Sequence, residues 1–316
     1  MRKLLLAVLA AALVIGATAC GGGGQGRAIV TIVTPTTPTP PPGSTPTPTP
    51  TPIPPPELIL STTQVYQAGA ILVSVVGDVS GGTVTFINRT YPLTQGSQSM
   101  YTFVGVDADD PAGEQPLRVD YTAANGTKGT LTETITVLAT EWSVDAVDIP
   151  DSKTDLLDPS IGNDELAMLH QIYSQVTPQK LWSGSWLVPV PGPLTTHFGE
   201  QRSYNGSEPS GHHGGTDIGA EEGTPVVATN AGRVVMARQV QLRGNMVIID
   251  HGGGLFSGYA HLSAFAVAEG QMVAQGDVIG YVGTTGLSTG AHLHWEMAID
   301  GVMLDAMRFT DGSNGF

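Results

Sequence analysis

Cysteine occurs once in the 316 residues, at Cys20, so no disulfide can form within the chain and oxidative cross-linking holds none of the fold. Basic side chains are scarce as well. Thirteen Lys and Arg stand against 28 Asp and Glu, and the resulting net charge of −15 repels a phosphate backbone, which excludes a nucleic-acid partner. No H-E-x-x-H pattern occurs, so a helical zinc site with a glutamate base between its histidines is ruled out. What is abundant is glycine and proline. Their 41 and 23 residues make about a fifth of the chain against roughly 12% in an average soluble protein, which favours a strand-rich, loop-rich architecture. The length suits two folded units with connecting segments.

The N-terminus carries a basic start, Arg2 and Lys3, an apolar run from Leu4 to Ile15, and the small residues Gly16 to Ala19 before Cys20. A run of about twelve apolar residues is shorter than the ~20 that span a bilayer, so the segment is a secretory signal that is cleaved. Small residues leading into the only cysteine, with Gly21 to Gly24 behind it, resemble the lipobox of bacterial lipoproteins, with Ala17 where leucine is usual. The expectation is a lipoprotein signal peptide over 1–20, a diacylglyceryl group on Cys20, and a protein exported and lipid-anchored to the outer face of the cell membrane or envelope. Residues 21–56 are glycine and then almost entirely proline and threonine. Proline fixes φ and removes donors, so this segment is a disordered or polyproline II stalk, whose last 26 residues would reach about 80 Å at ~3.1 Å per residue.

Between residues 57 and 140, short β-branched segments such as Ile71 to Val76, Thr83 to Ile87 and Leu131 to Val137 alternate with turn clusters at Gly77-Asp78, Gly81-Gly82 and Asn125-Gly126. That spacing predicts a small, immunoglobulin-like β-sandwich as an accessory domain. It contains no histidine, and its acidic run Asp107 to Asp110 reads as a solvated loop. The connecting region 141–186 holds one helix, expected from Asn163 to Val176, capped by Asn163, carrying Asp164 and Glu165 at its positive end, with Leu166, Leu169, Tyr173 and Val176 at helical spacing and Pro178 beyond. His170 on that helix receives no role.

Seven of the eight histidines fall after residue 186, in a region of strands separated by glycines. His213 and Asp217, both zinc-ligand types, stand four apart with Gly214 and Gly215 between them to let the backbone bend. His292 and His294 flank Leu293. On a strand the period of two puts both imidazoles on one face about 7 Å apart, too far for both to bind one ion comfortably, so one should ligate and the other face the bound water. His261 supplies a further imidazole from a third segment. Three protein ligands of mixed nitrogen and oxygen type leave zinc a fourth position open, the catalytic arrangement, whereas a structural site would need a fourth ligand, usually cysteine. Glu296, two residues beyond His294 on the same strand face, suits an outer role. His251 reads as a turn residue after a strand ending at Asp250, His212 is out of register with any carboxylate, and His197 is a candidate for the groove.

The run of Phe198-Gly199, His213-Gly214-Gly215-Thr216-Asp217, Gly223-Thr224-Pro225-Val226, Tyr259-Ala260-His261-Leu262-Ser263, Gly283 to Gly290 and His292-Leu293-His294-Trp295-Glu296 resembles the lysostaphin-type (LytM-like) zinc metalloendopeptidases that cut peptidoglycan peptides. The resemblance covers about Leu187 to Phe309. It implies a mainly β protein whose catalytic domain, 187–316, is an antiparallel β-structure (the duplicated hybrid motif) with an open groove. It also implies one Zn2+ held by His213, Asp217 and His294, catalytic histidines at His261 and His292, and peptidoglycan stems or cross-bridges as substrate. Some members keep the fold, lose metal residues and activate other hydrolases. This chain retains all five positions, so activity is expected over the alternative of a non-catalytic peptidoglycan-binding or activating module.

Overall fold

In the computed structural model, which describes residues 54–316, the Asn125-Gly126 turn closes the longest hairpin, between β8 (Gly113–Ala123) and β9 (Lys128–Leu138). Gly126 takes a left-handed φ of +84° and the Asn125 side chain accepts from the Thr127 amide, which is why this dipeptide reverses the chain. The hairpin lies in a five-stranded sheet in the order β2 (Gln64–Tyr66), β9, β8, β4 (Val79–Phe86), β5 (Arg89–Pro92). A second sheet runs β1 (Glu57–Leu60), β3 (Ala70–Val76), β7 (Met100–Gly105), β6 (Thr94–Gln95). Alternation decides what each buries. Ile71, Val73 and Val75 from one sheet and Val84, Phe86, Leu117, Val119 and Ile135 from the other are fully buried in a common cluster. The signal segment, Cys20 and residues 21–53 of the stalk lie outside the described residues. No helix among the described residues is long and apolar enough to cross a membrane.

The acidic run is not the solvated loop that its composition suggested. Asp110 is buried, pairs with Arg89 and accepts from the Asp107 amide, while Asp109 reaches His212 at 3.2 Å. The run is a structured corner because one carboxylate finds an arginine and another a histidine far along the chain.

The helix α1 also differs from expectation, running Pro159–Tyr173. Asp158 caps it by accepting from the Ser160 amide, and Pro159 occupies the first turn, where its missing N–H costs nothing. Asn163 is therefore interior. The buried stripe is Glu165, Leu169 and Tyr173, whereas Leu166 is 54% exposed. An ionic anchor at Glu165, described below, sets that register over the apolar alternative.

Before α1, β10 (Val144–Val147) runs parallel to β12 (Gln201–Tyr204), which pairs with β13 (Ser210–His212). The C-terminal region is dominated by an eight-stranded sheet. Its order is β11 (Leu194–Thr196), β14 (Thr216–Gly219), β22 (His292–Ile299), β18 (Leu255–Leu262), β17 (Asn245–Gly252), β16 (Gly232–Gln239), β20 (Met272–Val273), with β23 (Val302–Leu304) also on β22. A small sheet of β15 (Pro225–Val227), β21 (Val278–Tyr281) and β19 (Ala264–Phe265) accompanies it. The central strands β18 and β22 are buried on both faces. On one face Phe256, Ala260 and Ala298 meet Leu169 and Tyr173 of α1; on the other Leu255, Tyr259, Leu293, Trp295 and Met297 enter the main core.

Residues 314–316 are sewn back onto the sheet of β1, β3 and β7. Asn314 accepts from the Ala70 amide and the Ser61 hydroxyl, and the Phe316 ring packs 5.3 Å from Phe103 and 6.3 Å from Trp182.

His251 is fully buried inside β17 rather than opening a turn. Its Nδ1 lies 2.7 Å from the Ala231 carbonyl and its Nε2 2.7 Å from the Ser257 hydroxyl. Burial lowers its pKa from 6.5 to about 4, the bond to Ala231 opposing only in part. Between those values the unfolded chain binds a proton that the folded chain does not, so the contribution is full above pH 6.5 and is lost as pH falls toward 4, by about 3 kcal/mol in all. Urea unfolding followed from pH 7 to pH 4.5 should therefore show a steeper loss of stability for the wild type than for His251→Asn. Equal slopes would exclude this assignment.

Candidate metal centre

Asp217 and His294 sit directly opposite one another in the antiparallel ladder between β14 and β22. The next pair, Ile218 and Leu293, points into the core, so alternation turns Asp217, His292, His294 and Glu296 to the other face. His213 arrives from the turn between β13 and β14. Gly215, just before β14, has no left-handed backbone. Its requirement is space, because a Cβ there would stand 2.8 Å from the His294 ring and 2.7 Å from the Trp295 carbonyl. Gly215 thus serves close approach, whereas a Cβ on Gly214 would meet nothing nearer than 3.8 Å, and neither glycine supplies the left-handed bend inferred from sequence.

The three donor atoms converge. His213 Nε2 is 3.0 Å from His294 Nδ1 and 3.2 Å from Asp217 Oδ1, and His294 Nδ1 is 2.8 Å from that same oxygen. Tetrahedral zinc with bonds of about 2.0–2.1 Å needs donors roughly 3.3 Å apart, so small adjustments admit the ion. Each of the three side chains is held from behind. His213 Nδ1–H donates to the His197 carbonyl at 3.0 Å, leaving Nε2 to face the centre; this carbonyl is what His197 brings to the site. Arg202 holds the second oxygen of Asp217 at 3.0 Å, and His294 Nε2–H donates to Glu296 at 3.0 Å. Among the described residues, His213, Asp217 and His294 are the group able to hold a metal, and all three are buried. The set of two imidazoles and a carboxylate, each with an outer partner, fits zinc.

Burial works against a charged His294, yet the carboxylates of Asp217 and Glu296 on its two sides overcome it and raise the imidazole to about 9. Burial likewise pushes the Asp217 and Glu296 carboxyls up, but the histidines on Asp217, and Arg243 with His294 on Glu296, hold both well below the usual range. A cation at His294 Nδ1 must therefore displace a proton.

His261 and His292 stand beside this cluster, with ring centroids 4.8 Å apart and His261 5.8 Å from His294. A β-bulge brings His261 there. Two residues of β18, Ala260 and His261, oppose Met246 alone, and His261 adopts a left-handed φ of +59°, which turns its side chain toward the groove. Both rings are fixed in the same tautomer, because Nδ1 of His261 donates to the Thr285 carbonyl at 2.8 Å and Nδ1 of His292 to the Gly290 carbonyl at 2.9 Å. Burial lowers the pKa of both, and neighbouring imidazoles lower His261 further, so each is neutral near pH 7 and carries its free lone pair on Nε2. His292 Nε2 stands 3.8 Å from Asp217 Oδ1.

The cluster opens into a groove of about 580 Å³ whose walls include Tyr204 and Leu287 of the C-terminal region and Asp145, Ile149 and Leu166 of the connecting region. His212 also borders it but is tied to the Gly199 carbonyl, outside the ligand set. Sequence reasoning missed Arg202 and Arg243. An arginine between strands carries no pattern of its own, and its partners here come from distant segments.

Residues 211–306 match the model of Peptidase family M23. A stretch of 115 residues, 36% of this chain, is 38% identical to a peptidoglycan DD-endopeptidase, ShyA, of Vibrio cholerae, of which it covers 27%. Over 89 residues, 28% of this chain, identity reaches 49% with the DD-carboxypeptidase/endopeptidase Mpg of Neisseria meningitidis, of which 20% is covered. The chain thus spans about a quarter or less of the length of these curated relatives. Among solved structures, a putative peptidase M23 from Pseudomonas aeruginosa is similar over 78% of this chain and 94% of its own, with a TM-score of 0.57 and 24% identity, a likeness of fold. With the matched motif and the converged His213, Asp217 and His294 together, the C-terminal part of this chain is a peptidase M23 domain.

Proposed function

We propose that the protein is a zinc-dependent endopeptidase that hydrolyses the peptides of bacterial peptidoglycan, with the D,D cross-bridge as the bond suggested by the names of its relatives. The observation that carries this reading is the placement of three convergent ligand atoms beside two neutral, tautomer-fixed histidines in an open groove. Zinc, when held by His213, Asp217 and His294, supplies a polarised scissile carbonyl and a water of lowered pKa. The chain's own residues do the rest. Nε2 of His261 or of His292 accepts the proton of the attacking water, and the imidazolium so formed stands beside the developing oxyanion and then passes that proton to the departing amine nitrogen. Their common tautomer makes both groups competent for the first step. Arg202 keeps the second oxygen of Asp217 occupied, and Glu296 holds the far nitrogen of His294.

Isolated peptidoglycan incubated with the purified protein should release fragments whose masses report the bond cut. Chelation should abolish release, and one equivalent of zinc should restore it. Undiminished hydrolysis in a metal-free preparation would remove the mechanism. Binding without turnover by the zinc-loaded protein would favour a wall-binding module.

The two N-terminal sheets we read as an immunoglobulin-like accessory domain, since β2 joins β9 in parallel at the edge of an otherwise antiparallel sheet. We propose that the protein is exported and lipid-anchored through Cys20, two acyl chains being enough for stable attachment, with the Pro/Thr stalk setting the distance of the groove from the membrane. The N-terminal peptide of the mature protein should then carry diacylglyceryl mass on Cys20. An unmodified peptide from protein found wholly in the medium would identify an ordinary secreted hydrolase.

A further inference from the structure

Two of the three metal ligands are each tied to an arginine, Asp217 directly and His294 through Glu296, and each arginine is anchored by an acid from the connecting region, outside the residues that match the peptidase family. On one side, Asp145 of β10 binds Arg202 Nη1 at 2.5 Å, and Arg202 Nη2 binds Asp217 at 3.0 Å. On the other, Glu165 of α1 accepts from Arg243 Nη1 at 3.1 Å and from the backbone amides of Leu242 and Arg243 at 2.7 and 3.1 Å. Arg243 Nε binds Glu296 at 2.5 Å, and Glu296 in turn holds His294. Tyr173 of the same helix donates to the other Glu296 oxygen at 2.7 Å.

We infer that the connecting region is a working part of the metal centre, with Asp145 and Glu165 as positioning residues that hold Asp217 and His294 through one arginine each. The inference rests on the zinc reading above. Geometry gives the first reason. An arginine side chain is long, and its fork directs a carboxylate only when its own orientation is fixed, which Asp145 and Glu165 do from the opposite side. Charge gives the second. Four carboxylates and two guanidiniums leave this network two negative charges, the amount that a divalent cation neutralises. Without Asp145, Arg202 would present an unbalanced positive charge beside the cation and pull on Asp217 alone. Without Glu165, Arg243 would draw Glu296 away from His294. The Glu165 side chain is only 4% exposed, and that of Glu296 is fully buried, so little solvent screening softens the second effect, whereas Asp145, at 27% exposure, leaves the first partly screened.

The test uses the full protein and compares Asp145→Asn, Glu165→Gln and, as control, Asp164→Asn, an exposed acid adjacent to Glu165 on the same helix. Zinc affinity is measured by competition with a chromogenic chelator, and the visible spectrum of the cobalt-substituted protein reports the ligand field. Outer partners of metal ligands are typically worth about 10- to 100-fold in affinity. The expected result is a loss of that size with an altered cobalt spectrum in both Asp145→Asn and Glu165→Gln, and none in Asp164→Asn, while the metal-free proteins keep the wild-type circular dichroism. If Glu165→Gln fails to fold, the half-exposed Asp145→Asn decides alone. Wild-type affinity and spectrum in Asp145→Asn, or an equal loss in Asp164→Asn, would overturn the inference. Failure of the wild type itself to bind zinc would instead overturn the functional reading.

Discussion

Asp217→Ala should lose zinc and hydrolysis together while remaining folded. The cluster has three donors, and structural zinc sites with four ligands bind with roughly 10–16 kcal/mol. One ligand is then worth about 3 kcal/mol or more, above a hundredfold in affinity. Folding should survive because the groups left behind keep partners: Arg202 still pairs with Asp145, and His294 with Glu296. Elemental analysis of the purified variant, read beside its circular dichroism, checks both halves. A folded Asp217→Ala protein with full zinc and wild-type turnover would remove Asp217 from the ligand set.

His261→Ala and His292→Ala should behave in the opposite way, keeping zinc and losing turnover. Neither ring belongs to the convergent set, and both offer a neutral nitrogen beside it. Removing a positioned acid or base costs about 10²- to 10⁴-fold, and this should appear in kcat with the metal content unchanged. The double variant should fall little below the weaker single one, since the two act in one proton transfer sequence. A His292→Ala protein stripped of metal, with His294→Ala still loaded, would reverse the roles of the pair.

The ligand types were legible in the sequence because they rest on local geometry. The four-residue spacing of His213 and Asp217 and the period of two at His292 and His294 survive folding intact. What brings the pairs together is the register of β14 on β22, a non-local fact that no spacing encodes. The same limit explains His261, whose direction depends on a bulge rather than on strand alternation. It also explains His251, placed in a turn by its glycine-rich neighbours although β17 continues through it. In α1, propensity and apolar spacing pointed one turn too far along the chain. The actual start depends on the Asp158 cap and Pro159, and the buried face on an arginine 78 residues away. The strands of the two N-terminal sheets were readable for the reverse reason, since alternating β-branched residues between turn dipeptides bury one side whichever partner they meet.

The return of residues 314–316 to the sheet of β1 and β3 bears on the order in which the molecule assembles. The bonds from Asn314 to Ala70 and to Ser61 close loops of 244 and 253 residues, so the sheet of β1 and β3 lacks these contacts until residue 314 has been made. A chain that emerges N-terminus first can form the long β8–β9 hairpin early, but it must wait for residues 314–316 before the N-terminal sheets are sealed. High contact order of this kind trades folding speed for coupling. Once sealed, the N-terminal sheets and the peptidase sheet should unfold in one cooperative transition, and a protease that clips the tail would loosen strands some 250 residues upstream.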